Sequence, residues 1–196
     1  MKIYDISQEV FGCVVFPGDP APKRKILASM KDGDLYNLTE FSMCAHNGTH
    51  VDAPYHFVDE GKRIDEIPLE KFVGSAFVFE HSGKLTAADA RIVLQNAKKT
   101  DPECAKRLLM KGNAAVSEEA AEVFADAGIY LFGNESQTVG PEDAPMKTHL
   151  ILLCEDVVLL EGIRLSDVPC GVYLLSAAPI SLGGAEGAPC RAVLIQ

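Results

Sequence analysis

The 196-residue chain has no tryptophan, and aromatic residues make up only 7% of it. That scarcity argues against a carbohydrate or ring-stacking cleft built on broad aromatic platforms. Positive charge is also scarce, with 18 Lys and Arg against 28 Asp and Glu and a formal net charge of −10. Affinity for a polyanion comes from neutralising phosphates, and no basic cluster here offers that. Nucleic acid is therefore excluded as a main partner. No apolar run reaches the ~18–20 residues that span a bilayer. The opening Met1-Lys2-Ile3-Tyr4-Asp5 lacks the apolar stretch of a secretory signal. The expectation is a cytoplasmic chain with no membrane partner. The six cysteines, at 13, 44, 104, 154, 170 and 190, form no Cys-x-x-Cys pair. Reduced thiols are expected, several of them packed as small apolar residues. Nucleotide and acyl-transfer signatures are missing as well. The Gly183-Gly184-Ala185-Glu186-Gly187 stretch fits no phosphate-binding register, and there is no Gly-x-Ser-x-Gly elbow.

What is present is enough apolar material, 47% of residues, for one domain spanning residues 1–196. Strands are expected at 3–6, 12–16, 72–80, 129–132, 157–160, 172–179 and 192–195. A hairpin is expected between 26–30 and 35–45 across the Lys31-Asp32-Gly33-Asp34 turn. Helices are expected at 87–97 behind the Thr86 cap, at 117–128 behind Ser117, and at 144–153. Strands interleaved with helices predict an α/β fold, a mixed β-sheet with flanking helices.

Three of the five histidines fall within eleven residues, in His46-Asn47-Gly48-Thr49-His50-Val51-Asp52-Ala53-Pro54-Tyr55-His56. A single histidine is ordinarily a satisfied side chain. Three with an aspartate form a donor set suited to Zn²⁺ or Mn²⁺. In an extended strand His46 and His50 would stand ~13 Å apart, so the chain must bend between them. Asn47-Gly48 tolerates that bend. Beyond it, His50 and Asp52 share one side of an extended segment, and Pro54 holds Ala53 extended. Thr49 is placed to orient a ligand from behind.

The segment resembles the His-x-Gly-Thr-His-x-Asp-x-Pro-x-His-Phe signature of the metal-dependent cyclase-like hydrolases, a family that includes bacterial kynurenine formamidases and isatin hydrolases. The likeness extends to Asp5-Ile6-Ser7, Pro17-Gly18-Asp19 and Ala185-Glu186-Gly187-Ala188-Pro189-Cys190-Arg191-Ala192. It implies a swivelling β/β/α fold and a homodimer or higher homo-oligomer. It also implies that His46, His50 and Asp52 are metal ligands and His56 the catalytic acid/base. His149 and Glu161 match the later ligand pair. On one helix those two would lie ~18 Å apart, so the chain must turn back between them at Glu155-Asp156. Asp52 and Glu161 are then able to bridge two ions.

The implied reaction is metal-assisted hydrolysis of a small, neutral or weakly polar amide, first of all an N-formyl arylamine of the N-formylkynurenine type. A cyclic amide or imide hydrolase, or a cyclase of another small substrate, is the alternative within enzymes. A metal-stabilised binding protein, which would have no use for His56, is the alternative outside them. The chain departs from many relatives at Leu109-Met110-Lys111-Gly112-Asn113, where an Arg-Thr-Gly type sequence is common. That difference concerns the substrate pocket and leaves the metal shell intact.

Overall fold

Leu108, Leu109 and Met110 are all fully buried, yet they belong to different sides of the molecule. Successive residues of a strand point to opposite faces, so Leu109 joins one core cluster while Leu108 and Met110 join the other. Leu131 and Phe132, and Leu160 and Leu159, divide in the same way. Strands buried on both faces read as unbroken apolar runs, and this pattern fixes the centre of the sheet.

The computed structural model describes residues 1–141 and 143–196. The chain begins with β1 (Ile3–Asp5) and a ribbon, β2 (Lys23–Ala28) and β3 (Leu38–Ser42). Then come β4 (His50–Asp52), β5 (Val73–Glu80), β6 (Gly83–Leu85) and α1 (Ala87–Thr100). β7 (Arg107–Lys111), β8 (Ala114–Val116), α2 (Glu118–Asp126), β9 (Leu131–Asn134) and α3 (Met146–Cys154) follow. The chain ends with β10 (Val158–Glu161), β11 (Gly171–Ser176), β12 (Gly187–Pro189) and β13 (Val193–Ile195). The nine-stranded main sheet runs β1-β13-β11-β5-β7-β9-β10-β4-β12. β5, β7, β9 and β10 are mutually parallel, and every other pairing in that sheet is antiparallel. This is the mixed α/β architecture expected. Among the described residues no helix is long and apolar enough to cross a membrane.

Local chemistry sets the helix starts. Thr86 and Asp89 exchange hydrogen bonds in a capping box, and the Ser117 hydroxyl accepts from the Ala120 N–H. α3 ends at a turn in which Asp156 takes φ 60°, reversing the chain into β10. The 26–45 hairpin exists, but it pairs Lys23–Ala28 with Leu38–Ser42, because Met30–Asp32 closes as a 3-10 turn ending on Gly33. The strand expected at 12–16 does not form. The Val14 N–H goes to the Gln8 side chain at 2.8 Å, and the segment runs as an unpaired wall beside a cavity.

Gly133 in β9 shows how tightly the sheet packs. A Cβ there would lie 2.6 Å from Leu109 Cδ2 and 3.3 Å from the Leu160 carbonyl. Leu109→Ala is expected to cost ~2–5 kcal/mol, and Gly133→Ala ~1–3 kcal/mol by overpacking. In the Leu109→Ala background the added Cβ enters vacated space, so the Gly133→Ala penalty should shrink. Urea unfolding of the four proteins checks this, and strict additivity would contradict the packing described.

Candidate active site

The site is assembled by strand register. β10 lies antiparallel to β4, with Glu161 opposite His50 and Leu159 opposite Asp52. Directly opposed residues project to the same face, so His50, Asp52 and Glu161 emerge together. Helix α3 covers that face and supplies His149. On the outer side β12 pairs with β4 and sets Gly187 opposite Asp52. A Cβ on Gly187 would sit 2.8 Å from His46 Cε1, so its absence lets the His46 ring close on the cluster. The bend before β4 is made as expected, with Gly48 at φ 70°. Asn47 tightens it, its side-chain oxygen accepting from the Cys44 N–H at 2.8 Å. Ala53 is extended, at φ −91° and ψ 158°.

Two donor groups result, and they share one residue. His46, His50 and Asp52 form the first, and Asp52, His149 and Glu161 the second, with the potential ligand atoms of each within 4.8 Å of one another. The His46 Nδ1 to Asp52 Oδ1 distance is 2.8 Å, and His50 Nε2 lies 3.3 Å from the same oxygen. His149 Nε2 is 3.2 Å from Glu161 Oε1 and 3.7 Å from Asp52 Oδ2. All five expected ligand residues therefore converge. The His50 Nδ1–H donates to the Gly48 carbonyl at 3.0 Å, and the His149 Nδ1–H to the Pro145 carbonyl at 2.9 Å. A carbonyl only accepts, so each ring is oriented with Nε2 towards the cluster. The Val139 N–H fixes Glu161 Oε1 at 2.7 Å.

Buried carboxylates need compensation. Asp52 and Glu161 have side chains only 1% and 3% exposed. Burial alone would raise both, but the surrounding imidazoles hold Asp52 well below the usual carboxylate range and lower Glu161. The reciprocal effect falls on the histidines. Burial opposes charging, yet Asp52 and Glu161 win, lifting His50 to about 10 and His149 to about 9. Without a metal, protons balance the site. Asp52 Oδ2 and His46 Nε2 are nonetheless buried with no hydrogen-bond partner among the described residues. His46 Nε2 is 3.3 Å from Glu186 Oε1 but misaligned for a bond. Orphaned donor atoms on a set of imidazoles and carboxylates fit a divalent metal.

His56 stands apart from this network. It ends the short 3-10 turn Pro54–His56 and stacks on His46 with ring centroids 4.1 Å apart. Phe57 meets its ring edge-on at 4.5 Å. Burial lowers its pKa, only partly offset by Asp52. The imidazole is therefore uncharged at neutral pH and able to accept a proton. A cavity of about 390 Å³ opens over the cluster, with Phe16, Asp19, Phe57 and Met146 in its wall. Sequence reasoning did not single out Phe16, Asp19 or Glu186 as site residues, although Asp19 and Glu186 sit in its terminal motifs. Thr49 does not orient a ligand. Its hydroxyl donates to the Gly162 carbonyl and accepts from the Gln8 N–H, tying β4 to the end of β10 and to the N-terminal segment.

Comparison with known proteins agrees with this construction. A family model described as putative cyclase matches residues 4–141. Kynurenine formamidase of Salinibacter ruber is 33% identical, covering 99% of this chain and 97% of its own length. Kynurenine formamidase of Bacillus anthracis is 28% identical, over 98% and 97%. The structure of a predicted metal-dependent hydrolase from Bacillus stearothermophilus is 29% identical, with a TM-score of 0.80 over 98% of this chain and 97% of that one. An isatin hydrolase bound to thioisatinate, at 16% identity, shares the fold with a TM-score of 0.84 over 98% and 91%. With its signature segment, its sheet and its full-length relatives all in agreement, the chain belongs to the putative cyclase family.

Proposed function

We propose that this protein is a metal-dependent hydrolase of amide carbon–nitrogen bonds, an arylformamidase acting on N-formylkynurenine-type substrates. The observation that carries the reading is the position of the His56 ring, uncharged and making no side-chain hydrogen bond among the described residues, above two donor groups that share Asp52. A purely structural metal site has no use for such a group. The curated relatives named kynurenine formamidase, aligned over nearly the whole chain, support the substrate class.

His46, His50 and Asp52 would hold one ion, and Asp52, His149 and Glu161 a second, with Zn²⁺ or Mn²⁺ suited to the mixed donors. A divalent ion supplies Lewis acidity to the substrate carbonyl and brings the pKa of a water down towards ~7. His56 accepts the proton of the attacking water. It then delivers that proton to the amine nitrogen as the carbon–nitrogen bond breaks, so the products are formate and the free arylamine. The stack on His46 and the edge contact from Phe57 keep the imidazole in place through both transfers.

The assembled form in this reading is a homo-oligomer, most simply a twofold dimer. The β2–β3 ribbon supports it. Every residue of β3 is exposed, and Ile26, Leu35 and Phe41 are 65%, 93% and 57% accessible. A two-stranded ribbon is marginal by itself, and an apolar one gains by packing against a second copy. Light scattering at micromolar concentration should give at least twice the monomer mass, and a monomer would refute this arrangement.

Metal loading should release protons, because His50 and His149 are protonated at pH 7 in the metal-free protein and must be neutral to ligate. Raising the pH towards about 9 and 10 removes that competition, so apparent affinity should climb from pH 6 to pH 9. Calorimetry in two buffers of different ionisation enthalpy measures the release, and identical heats would sink the ligand assignment. His50→Ala should lower the metal content.

His56→Ala should keep its metal and lose ~10²–10⁴-fold in kcat on N-formylkynurenine. Elemental analysis beside the steady-state assay separates the outcomes. Lost metal would make His56 a ligand, and unchanged turnover would pass its role to another group. Hydrolysis of isatin-like cyclic amides alone would keep the mechanism and replace the substrate.

A further inference from the structure

A second cavity, of about 720 Å³, is larger than the one over the donor cluster. It lies beside it, and the two share Phe16, Gln137 and Thr138 in their walls. Its remaining wall is largely apolar, from Val14, Val15, Pro17 and Ala114, with one cation, Arg164. The guanidinium of Arg164 therefore lines a cavity that adjoins the one over the cluster.

We propose that Arg164 anchors a carboxylate on the non-reacting end of the substrate. The proposal rests on the amide-hydrolase reading and adds to it the group that selects among amides. Arg164 follows Glu161 by three residues, so the end of β10 places a cluster carboxylate and this guanidinium on one short segment. Arg164 Nη1 donates to the Ile163 carbonyl at 2.9 Å and the Glu135 carbonyl at 3.2 Å. Those two bonds orient the group, and among the described residues Nε and Nη2 have no protein acceptor. The free Nε–Nη2 edge is the fork that receives a carboxylate bidentately.

Glu135, the acidic residue of this wall, and Lys111, which precedes the wall residue Gly112 at the end of β7, are already committed. The Glu135 carboxylate accepts from the Gly112 and Leu165 N–H groups, each at 2.8 Å. The Lys111 ammonium donates to the Ser166 and Val168 carbonyls at 2.9 and 3.1 Å. One available guanidinium beside one hydrogen-bonded carboxylate, on a chain of net charge −10, suits a monoanion or zwitterion and rejects a polyanion. Arg164 is a specificity residue in this scheme and takes no part in bond cleavage. The neutral substrate expected from overall charge is replaced by one with a local carboxylate.

The test is calorimetric binding of L-kynurenine and of its carboxamide to the metal-loaded protein, with Arg164→Gln and Arg164→Lys alongside. The native protein should prefer the carboxylate by about 10–100-fold, the range of a bidentate charged pair. Arg164→Gln should abolish that preference, and Arg164→Lys, which keeps the charge without the fork, should retain part of it. In turnover, Arg164→Gln should raise KM for N-formylkynurenine by about 10–100-fold and change kcat much less. Equal binding of both compounds by the native protein, binding of neither, or an undiminished preference in Arg164→Gln would overturn the assignment. A carboxylate preference lost in Arg164→Gln, with no N-formyl arylamine hydrolysed, would uphold Arg164 and sink the hydrolase reading instead.

Discussion

Two carboxylates buried side by side are the constraint around which this protein is organised. Asp52 and Glu161 come from neighbouring strands, β4 and β10, and both are almost fully buried. Isolated in an apolar interior, each would take up a proton. They stay ionised because three imidazoles face them, and those imidazoles carry raised pKa values as the counterpart of the same interaction. The network contributes little to net stability when compared with a well-packed apolar core. Its value lies in the concentration of donor atoms around one shared carboxylate, which a metal can claim from protons.

Holding that cluster engages segments from both ends of the chain. Gly162, directly after Glu161, takes φ 67°, and a Cβ there would collide with Gln137, Gly48 and Gln8. Its carbonyl accepts from Thr49 Oγ1 and Gln8 Nε2, both at 2.8 Å. The N-terminal segment, the first histidine motif, the loop after β9 and the end of β10 therefore meet at one glycine. Ser7 Oγ donates to the Ala192 carbonyl at 3.1 Å, joining the N-terminal segment to the C-terminal one. A side chain at Gly162 would displace the carboxylate before it and the loop beside it together.

The parts of this arrangement that were legible in the sequence are those fixed locally. The helix caps at Thr86 and Ser117, the short apolar runs of β5, β9 and β10, and the bend at Asn47-Gly48 each follow from a few adjacent residues. The candidate ligand residues were legible because they form a dense motif, together with a family likeness for His149 and Glu161. What escaped depends on pairing. β12 is three residues, Gly187–Pro189, with glycine and proline at its ends, and it is a strand only because β4 offers it an edge. Residues 12–16 form a short apolar run like that of a strand, but no partner strand pairs with it. Glu186 beside His46, and Phe16 in the cavity wall, are tertiary neighbours that no local spacing encodes. Arg164 carries no motif that singles it out, and only the cavity gives it a place.

This division between what is local and what is tertiary also separates chemistry from recognition. Most of the donor groups sit on strands and a helix whose positions are set by sheet register, as bond-making groups require. The walls that meet the rest of a substrate come from the unpaired segment at 14–17, the turn at 112–114 and the loop at 135–138. Such segments change length and sequence without disturbing register. The fold therefore leaves the amide unspecified; selection falls to the side chains that line the space beside the cluster, and the proposed anchor among the described ones is the guanidinium of Arg164.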